Sequence, residues 1–157
     1  MSWDPVWEEI FRSSDWGKYP PEELVRFVAR NFYKVPDRRT VRMLELGCGT
    51  GANIWYMARE GFDVSGVDGS ASAIGKAQQR MKDEGLAVNL AVGDISKLPG
   101  AVTPPFDAII DVCCLQHNPL SVARSTLSRV YEFLRPRGRI LEAGKGFLPA
   151  LRERRRN

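Results

Sequence analysis

The sequence has few of the features that mark membrane, secreted or disulfide-linked proteins. Its longest run without a charged residue has 13 residues, 46–58, and contains three glycines, so it is too short to cross a bilayer. The first residues contain neither the basic nor the apolar stretch of a secretory signal. The three cysteines are odd in number and two are adjacent, which argues against a disulfide framework. We therefore expect a protein of a reducing compartment, the cytoplasm, without a membrane segment.

Net positive charge is also small outside the last residues. The 157-residue chain has a net charge of +4, but the last six residues carry +3 of it, so residues 1–151 are nearly neutral. A nucleic-acid-binding domain usually has a basic face over the whole domain, so we do not expect nucleic acid as a partner. The length fits one domain, and 43% apolar with 27% charged residues is a globular composition.

The first forty residues are rich in aromatic side chains and are predicted to be helical. Trp3, Trp7 and Phe11 recur every four residues, which places them on one face of a helix and predicts that they pack against the core. Residues 13–17 break this helix, and two prolines followed by two acids predict a second helix from residue 20 to about 32. We interpret residues 1–40 as a helical cap or lid that precedes a core of residues 41–157.

From residue 41 onward, predicted strands alternate with predicted helices. The strands are predicted at 41–46, 62–67, 86–92, 107–112 and 139–143, and the helices at 52–60, 70–83 and 119–134. Such alternation is typical of parallel β–α–β units with right-handed crossovers. The sequence therefore predicts an α/β fold, a three-layer α/β/α sandwich around a mainly parallel sheet of about five strands.

A glycine-rich turn connects the first predicted strand to the helix that follows it. Residues 45–51 read Glu-Leu-Gly-Cys-Gly-Thr-Gly, and glycine permits a tight turn and close approach of a ligand to the backbone. Asp68 ends the next strand, where its carboxylate can accept hydrogen bonds from both hydroxyls of a ribose. No Lys-Ser or Lys-Thr follows the turn, which excludes a Walker-type phosphate loop. The G-x-G-x-G spacing also argues against a nicotinamide dinucleotide.

Five segments together carry a resemblance to a known family. They lie, in order, at residues 43–51, 66–70, 92–95, 106–112 and 134–140. On these segments, residues 41–143 resemble the class I S-adenosylmethionine-dependent methyltransferases. The resemblance implies a Rossmann-like fold, S-adenosylmethionine as cofactor and S-adenosylhomocysteine as product. It also implies methyl transfer to an oxygen or nitrogen of a small-molecule acceptor.

The resemblance assigns a role to each matched position. The candidate cofactor-binding residues are Glu45, Gly47, Cys48, Gly49, Gly51, Asp68, Gly69, Asp94, Ile95, Cys113, Leu115, Trp16 and Tyr19. The turn would line the methionine part, with Glu45 fixing the loop and reaching the amino group. Asp68 would hold the ribose, and Gly69 and the segment 94–95 would border the adenine. Trp16 and Tyr19 lie in a loop between helices, and we expect them on a lid over the cofactor.

Some candidate residues have a second interpretation. Asp94 follows a strand, where aspartate often only stabilises a turn. His117, the single histidine, follows the fourth strand at the edge where ligands bind in open α/β sheets. It could act as a general base, or it could cap the next helix together with Asn118. His117 and Cys113-Cys114 have no second pair at ligand spacing, so we expect no metal.

The sequence departs from the family at its end. The family core has seven strands, whereas only 14 residues follow Ala143, so we expect the last two strands to be missing and the acceptor site to be open. The fifth strand would then be an exposed edge, which we expect the tail or a second copy of the chain, in a homodimer, to cover. Two alternatives to a small-molecule enzyme remain open: a nucleic-acid methyltransferase, and a shortened domain that binds the cofactor without catalysis. The Arg-rich tail supports the first alternative. The absence of an (N/D/S)-P-P-aromatic sequence after the fourth strand argues against it.

Overall fold

A parallel sheet with helices on both faces forms the centre of the molecule. The computed structural model describes residues 3–144. Its strands are β1 (Arg42–Leu46), β2 (Asp63–Asp68), β3 (Asn89–Val92), β4 (Phe106–Val112) and β5 (Leu134–Ala143). Its helices are α1 (Val6–Ser13), α2 (Glu22–Phe32), α3 (Ala52–Arg59), α4 (Ala71–Asp83) and α5 (Leu120–Phe133). Short 3₁₀ turns at Arg38–Thr40, Ile95–Lys97 and Leu115–His117 complete these elements.

The five strands lie in the order β3-β2-β1-β4-β5, and every pairing between neighbours is parallel. β1 is central, with Met43 level with Val64 of β2 on one side and with Ala108 of β4 on the other. This confirms the predicted α/β fold with a parallel sheet of five strands. All the strands point the same way, so their carboxyl ends meet at one edge of the sheet, where a ligand can be bound.

Alternate residues of the central strand face opposite layers of helices. Met43 belongs to an apolar cluster with Leu24 of α2 and Ile54 of α3. Its neighbour Leu44 points to the other face and belongs to a second cluster with Leu127 of α5. Because helices cover both faces of the sheet, the central strands bury side chains on both sides, which explains their apolar runs. The two clusters confirm the three-layer arrangement.

The helix boundaries follow the local signals in the sequence. Ser70 begins α4 as predicted, because its hydroxyl oxygen accepts a hydrogen bond of 3.0 Å from the backbone N–H of Ala73. Gly61 follows α3 with a φ of 96°, a conformation that favours glycine at the end of a helix. Pro21 precedes α2, which begins at Glu22.

All five strands differ from their predicted bounds, two of them by more than one residue. β3 is predicted from residue 86 but begins at Asn89, because the backbone N–H of Leu86 instead donates to the Met81 carbonyl and closes the end of α4. β5 begins earlier than the predicted residue 139, since Leu134 already pairs with Phe106. A register shift then separates this first pair from the regular pairing, which resumes at residue 139.

β5 forms one edge of the sheet in the part of the chain that the structure describes. Its central residues Ile140 and Leu141 are half-buried and pack against the two opposite apolar clusters. The tail that is predicted to cover this edge lies outside the described residues, and the homodimer remains a prediction. Among residues 3–144, no helix is long and apolar enough to span a membrane.

Candidate functional site

The glycine-rich turn after β1 is tied directly to the end of β2. The backbone N–H groups of Gly47 and Cys48 both donate to the Val67 carbonyl, at 2.8 and 3.1 Å. Gly47 has a φ of 67°, and a Cβ atom there would overlap the sulfur of Cys114. Glycine is therefore required at this position both by the backbone conformation and by the closeness of the loop after β4.

Asp68 joins the loops that follow β1 and β2. One carboxylate oxygen accepts a hydrogen bond of 2.8 Å from the Gly49 N–H, and the other accepts one of 2.9 Å from the Ser70 N–H. The side chain is only 8% exposed, and this burial raises its pKa, against the opposing effect of the two hydrogen bonds. Each carboxylate oxygen has more than one lone pair, so both can also accept hydroxyl hydrogens of a ligand.

Glu45 is an unusual buried acid in the wall of the site. Its Oε1 atom accepts a hydrogen bond of 2.6 Å from the Asn53 side chain, whereas Oε2 is buried with no hydrogen-bond partner among the described residues. Burial, together with the nearby Asp68 and Asp111 carboxylates, raises the pKa of Glu45 to about 8. A ligand ammonium group would satisfy Oε2 and stabilise the charged form of Glu45.

In the loop after β3, two residues line the site and a third stabilises the loop itself. Gly93 donates its N–H to the Asp68 carbonyl at 2.9 Å, and Gly93 and Ile95 line the same cavity as Asp68. The Asp94 carboxylate accepts hydrogen bonds from the backbone and hydroxyl of Ser96, at 2.8 and 2.7 Å. Asp94 therefore stabilises the turn, the second of its two interpretations, and its contact with adenine remains a prediction.

The loop after β4 is shaped by Asp111, a residue that the sequence analysis did not single out. Its Oδ1 atom accepts backbone hydrogen bonds from Cys114 and Leu115 at 2.8 and 3.1 Å, and burial raises its pKa to about 6. Cys113 has a φ of 63° and lines the cavity. These bonds turn the chain so that the exposed His117 also faces the cavity.

Aromatic side chains of α1 and of the residues just before it cover the site. Trp3 lies against Gly69, where a Cβ would stand 2.5 Å from the indole ring. Phe11 lies against Gly49 in the same way, at 3.4 Å from the position of a Cβ. Trp3 precedes α1, so the prediction that it lies on this helix is wrong. Trp7, one turn before Phe11, contacts the His117 ring with centroids 5.0 Å apart. The sequence predicts that these rings pack, and Phe11 is buried as predicted. All three rings also line the cavity.

Glu8 attaches α1 to the start of α4. Its carboxylate accepts hydrogen bonds from the hydroxyls of Ser70 and Ser72, the former at 2.5 Å, and from the Ser72 N–H at 3.3 Å. These bonds lower the pKa of Glu8. A carboxylate is also favoured at this end of α4 by the helix dipole. The same loop that Asp68 organises is therefore bonded to the helix that covers the site.

The loop between α1 and α2 continues this cover. Arg80 of α4 donates a hydrogen bond of 2.7 Å to the Lys18 carbonyl. Trp16 packs edge-on against Phe11 at 5.4 Å between ring centroids, yet it is 49% exposed. Tyr19 is 75% exposed. Both rings line the cavity, so the loop brings its aromatic side chains to the site.

These elements enclose one cavity of about 270 Å³, close to the lower end of the range for small-molecule sites. The predicted residues that line it are Glu45, Gly47, Cys48, Gly49, Asp68, Gly69, Ile95, Cys113, His117, Trp16 and Tyr19. Gly51, Asp94 and Leu115 are not among the residues that line it; Leu115 is buried in the core beside α5. Trp3, Trp7, Phe11 and Asn53 line it without having been predicted to do so.

The cavity fits S-adenosylmethionine in its chemistry. That cofactor is a sulfonium cation that also carries an amine, a carboxylate and a ribose. The unpaired oxygen of Glu45 and the two oxygens of Asp68 suit the amine and the ribose hydroxyls. The residues described in the structure contain no group of three or more side chains suited to hold a metal ion.

Comparison with known proteins gives the same result. A family described as "Methyltransferase domain" matches residues 43–138. A protein of Geobacillus sp. (strain WCH70) named as a methyltransferase is 31% identical over 117 residues, which are 73% of this chain and 47% of that protein. Norajmaline N-methyltransferase of Rauvolfia serpentina is 31% identical over 99 residues, 61% of this chain and 33% of that enzyme. The chain thus spans less than half the length of these relatives.

A solved structure shows the same fold with a ligand. The S-adenosylmethionine-dependent methyltransferase from Geobacter sulfurreducens, in complex with S-adenosylhomocysteine, is 25% identical with a TM-score of 0.65. The similarity covers 89% of this chain and 55% of that one.

Proposed function

The chain belongs to the class I S-adenosylmethionine-dependent methyltransferases, and we propose that it transfers the methyl group to an oxygen or nitrogen of a small molecule. The observation that carries the proposal is the convergence of Glu45, Asp68 and the glycine-rich turn in one covered cavity. The cofactor of the family is S-adenosylmethionine, which supplies an activated methyl group when bound.

Within this proposal, residues of the turn and of the strand ends hold the cofactor. The two Asp68 oxygens accept the ribose hydroxyls while keeping their bonds to Gly49 and Ser70. Glu45 offers its unpaired oxygen to the ammonium group. Gly47 and Gly49 line the cavity and carry no side chain, so their backbone can lie close to the ligand. Asp94 and Ile95 border the adenine.

His117 is the proposed general base. It lines the cavity at the end of the loop after β4, with its ring against Trp7. Methyl transfer is an in-line displacement, and much of its rate comes from holding the acceptor beside the methyl carbon. An acceptor that arrives protonated must also lose a proton, and an imidazole is suited to take it near neutral pH.

The acceptor is proposed to be a small molecule because the cavity is covered. α1 and the following loop, part of the cap at residues 1–40, lie over the site, which supports a small ligand as acceptor. One relative, norajmaline N-methyltransferase, is named for a small-molecule acceptor. The three cysteines are free thiols, which supports the cytoplasm as the place of action.

A screen for methyl transfer tests this function. The purified protein, labelled cofactor and a pool of small metabolites should give a labelled small product. His117→Gln should bind S-adenosylhomocysteine as wild type does but lose about 10²-fold or more in rate with a hydroxyl acceptor. Wild-type protein that binds S-adenosylhomocysteine yet labels no metabolite would favour a non-catalytic cofactor-binding domain. Labelling of RNA or DNA instead would overturn the small-molecule acceptor.

A further inference from the structure

The mouth of the cavity combines aromatic rings with negative charge. The charged residues among those lining the cavity are Asp4, Glu45 and Asp68, and no Lys or Arg of the described chain is among them. Glu45 and Asp68 lie on the floor, whereas Asp4 is exposed where α1 begins. Glu45 and Asp68 are taken up by the cofactor, so an acceptor at the mouth meets the Asp4 carboxylate and no basic side chain of the described lining. This disfavours an acceptor with a carboxylate or phosphate.

Two of the aromatic rings that line the mouth are exposed, and one of them, Tyr19, packs edge-on against Trp55 with ring centroids 5.8 Å apart. Trp7, Phe11 and Trp16 contact one another, with centroids 5.4 to 6.2 Å apart. Phe11 is 6% exposed and covers the glycine-rich turn, but Trp16 and Tyr19 are 49% and 75% exposed. Neither of these two rings belongs to the apolar clusters of the described core. Two large exposed rings beside a cavity are a surface that a flat ligand can cover.

We propose that the acceptor is an amine attached to a flat ring system, held between Trp16 and Tyr19 and methylated on its nitrogen. This inference rests on the proposed methyl transfer and narrows its acceptor. Aromatic faces attract a cationic nitrogen through their quadrupole, and Asp4 adds a negative charge at the same entrance. A ring on the acceptor stacks on the exposed indole, which an aliphatic amine cannot do.

The reaction balances with the residues present. The ammonium form binds at the mouth and gives one proton to His117 or to water, which frees the nitrogen lone pair. That lone pair forms the new N–C bond to the methyl carbon as the C–S bond breaks, and its electron pair stays on sulfur. The products are the methylated ammonium, which takes over the positive charge of the sulfonium, and S-adenosylhomocysteine with neutral sulfur. No oxidant or further reactant is needed. His117 lies beside Trp7, within the aromatic cluster that would hold the amine.

Binding of three matched probes tests this inference without turnover. Tryptamine has a ring and a cation, indole-3-acetate has the same ring and an anion, and cyclohexylamine has a cation without an aromatic ring. Each is titrated calorimetrically into full-length protein saturated with S-adenosylhomocysteine. Tryptamine should bind roughly tenfold or more tightly than either of the others. Equal binding of indole-3-acetate would overturn the charge argument, and equal binding of cyclohexylamine would overturn the stacking argument.

Variants locate the site. Trp16→Ala and Tyr19→Ala should each weaken tryptamine binding several-fold, whereas Trp16→Phe should retain most of it. Asp4→Asn should reduce the difference in affinity between tryptamine and indole-3-acetate. Asp15 is an exposed acid of the same segment that does not line the cavity, so Asp15→Asn should leave this difference in affinity unchanged. If Trp16→Ala does not fold, tryptamine binding to Tyr19→Ala tests the site, because the Tyr19 ring is largely exposed and its loss should not prevent folding.

The outcomes separate this inference from the proposed function. Tight binding of S-adenosylhomocysteine with no binding of tryptamine would overturn the amine acceptor and leave methyl transfer standing. No binding of S-adenosylhomocysteine by folded wild-type protein would overturn the proposed function, and the inference that rests on it.

Discussion

The Asp68 carboxylate accepts a hydrogen bond of 2.8 Å from the Gly49 N–H, across 19 residues of sequence. Its other oxygen accepts the Ser70 N–H, so one side chain fixes both loops on the floor of the cavity. The hydroxyl of Ser70 in turn donates to Glu8, which holds the helix above the cavity. The floor and the cover of the site are therefore joined through Asp68 and Ser70.

Replacing Glu45 should change how stability depends on pH. Burial raises the pKa of Glu45 from 4.5 to about 8, so within this window the folded protein keeps a proton that the unfolded chain has released. The free energy of unfolding therefore falls as pH rises through the window, by at most about 1.4 kcal/mol per pH unit for this group. Glu45→Gln lacks this contribution, so its Tm should fall less than that of wild type between pH 5 and pH 8.

Calorimetric unfolding at several pH values measures this difference. Glu23→Gln, which changes an exposed acid of α2, should follow the wild-type curve. Parallel curves for wild type and Glu45→Gln would contradict a buried, protonated Glu45. If the ligand ammonium binds ionised Glu45 as proposed, S-adenosylhomocysteine should also release a proton on binding near pH 7. That release should be absent in Glu45→Gln.

Gly47→Ala should damage both stability and ligand binding. The backbone there has a φ of 67°, and the new Cβ would overlap Cys114, so the strain should cost about 1–3 kcal/mol or more. Gly75→Ala is the matched control, because Gly75 lies within α4 with no atom within 4 Å of the new Cβ. It should stabilise the protein by about 0.5–1 kcal/mol. Urea unfolding measures the free energy of unfolding of both variants. Equal changes in this free energy for Gly47→Ala and Gly75→Ala would contradict the close packing at Gly47.

Glu8→Ala should loosen the cover of the site without unfolding the core. The loss of the bonds to Ser70 and Ser72 should speed amide exchange in α1 several-fold and weaken S-adenosylhomocysteine binding. Glu9→Ala removes the neighbouring acid, whose carboxylate accepts a hydrogen bond from Arg12 of the same helix. Hydrogen exchange followed by mass spectrometry measures the amide exchange rates of α1 in both variants. The same exchange in both variants would show that Glu8 does not hold α1 in place.

The order of elements could be predicted from the sequence because it depends on local signals. The cap at Ser70, the glycine after α3 and the apolar strands each identify a boundary within a few residues of chain. The early start of β5 could not be predicted in this way. It depends on pairing between Leu134 and Phe106, which are distant in sequence.

The floor of the site was predictable, whereas the part of its cover that α1 forms was not. Glu45, Gly47 and Asp68 lie in motifs at the ends of adjacent strands, so the topology of a parallel sheet brings them together. The helical spacing of Trp7 and Phe11 indicates that they share a face of α1, but it does not indicate which part of the protein that face contacts. The partner of that face is decided by contacts across more than sixty residues, such as Glu8 with Ser70, which no local pattern shows.

The most direct test is calorimetric titration of S-adenosylhomocysteine into wild-type protein, Asp68→Ala and the exposed control Asp83→Ala. We expect wild type and Asp83→Ala to bind alike, and Asp68→Ala to bind about ten- to a hundredfold more weakly. This corresponds to the loss of about 1.5–3 kcal/mol from hydrogen bonds to a charged group. Folded Asp68→Ala protein that bound as tightly as wild type, or wild-type protein that bound no S-adenosylhomocysteine, would contradict the site described above.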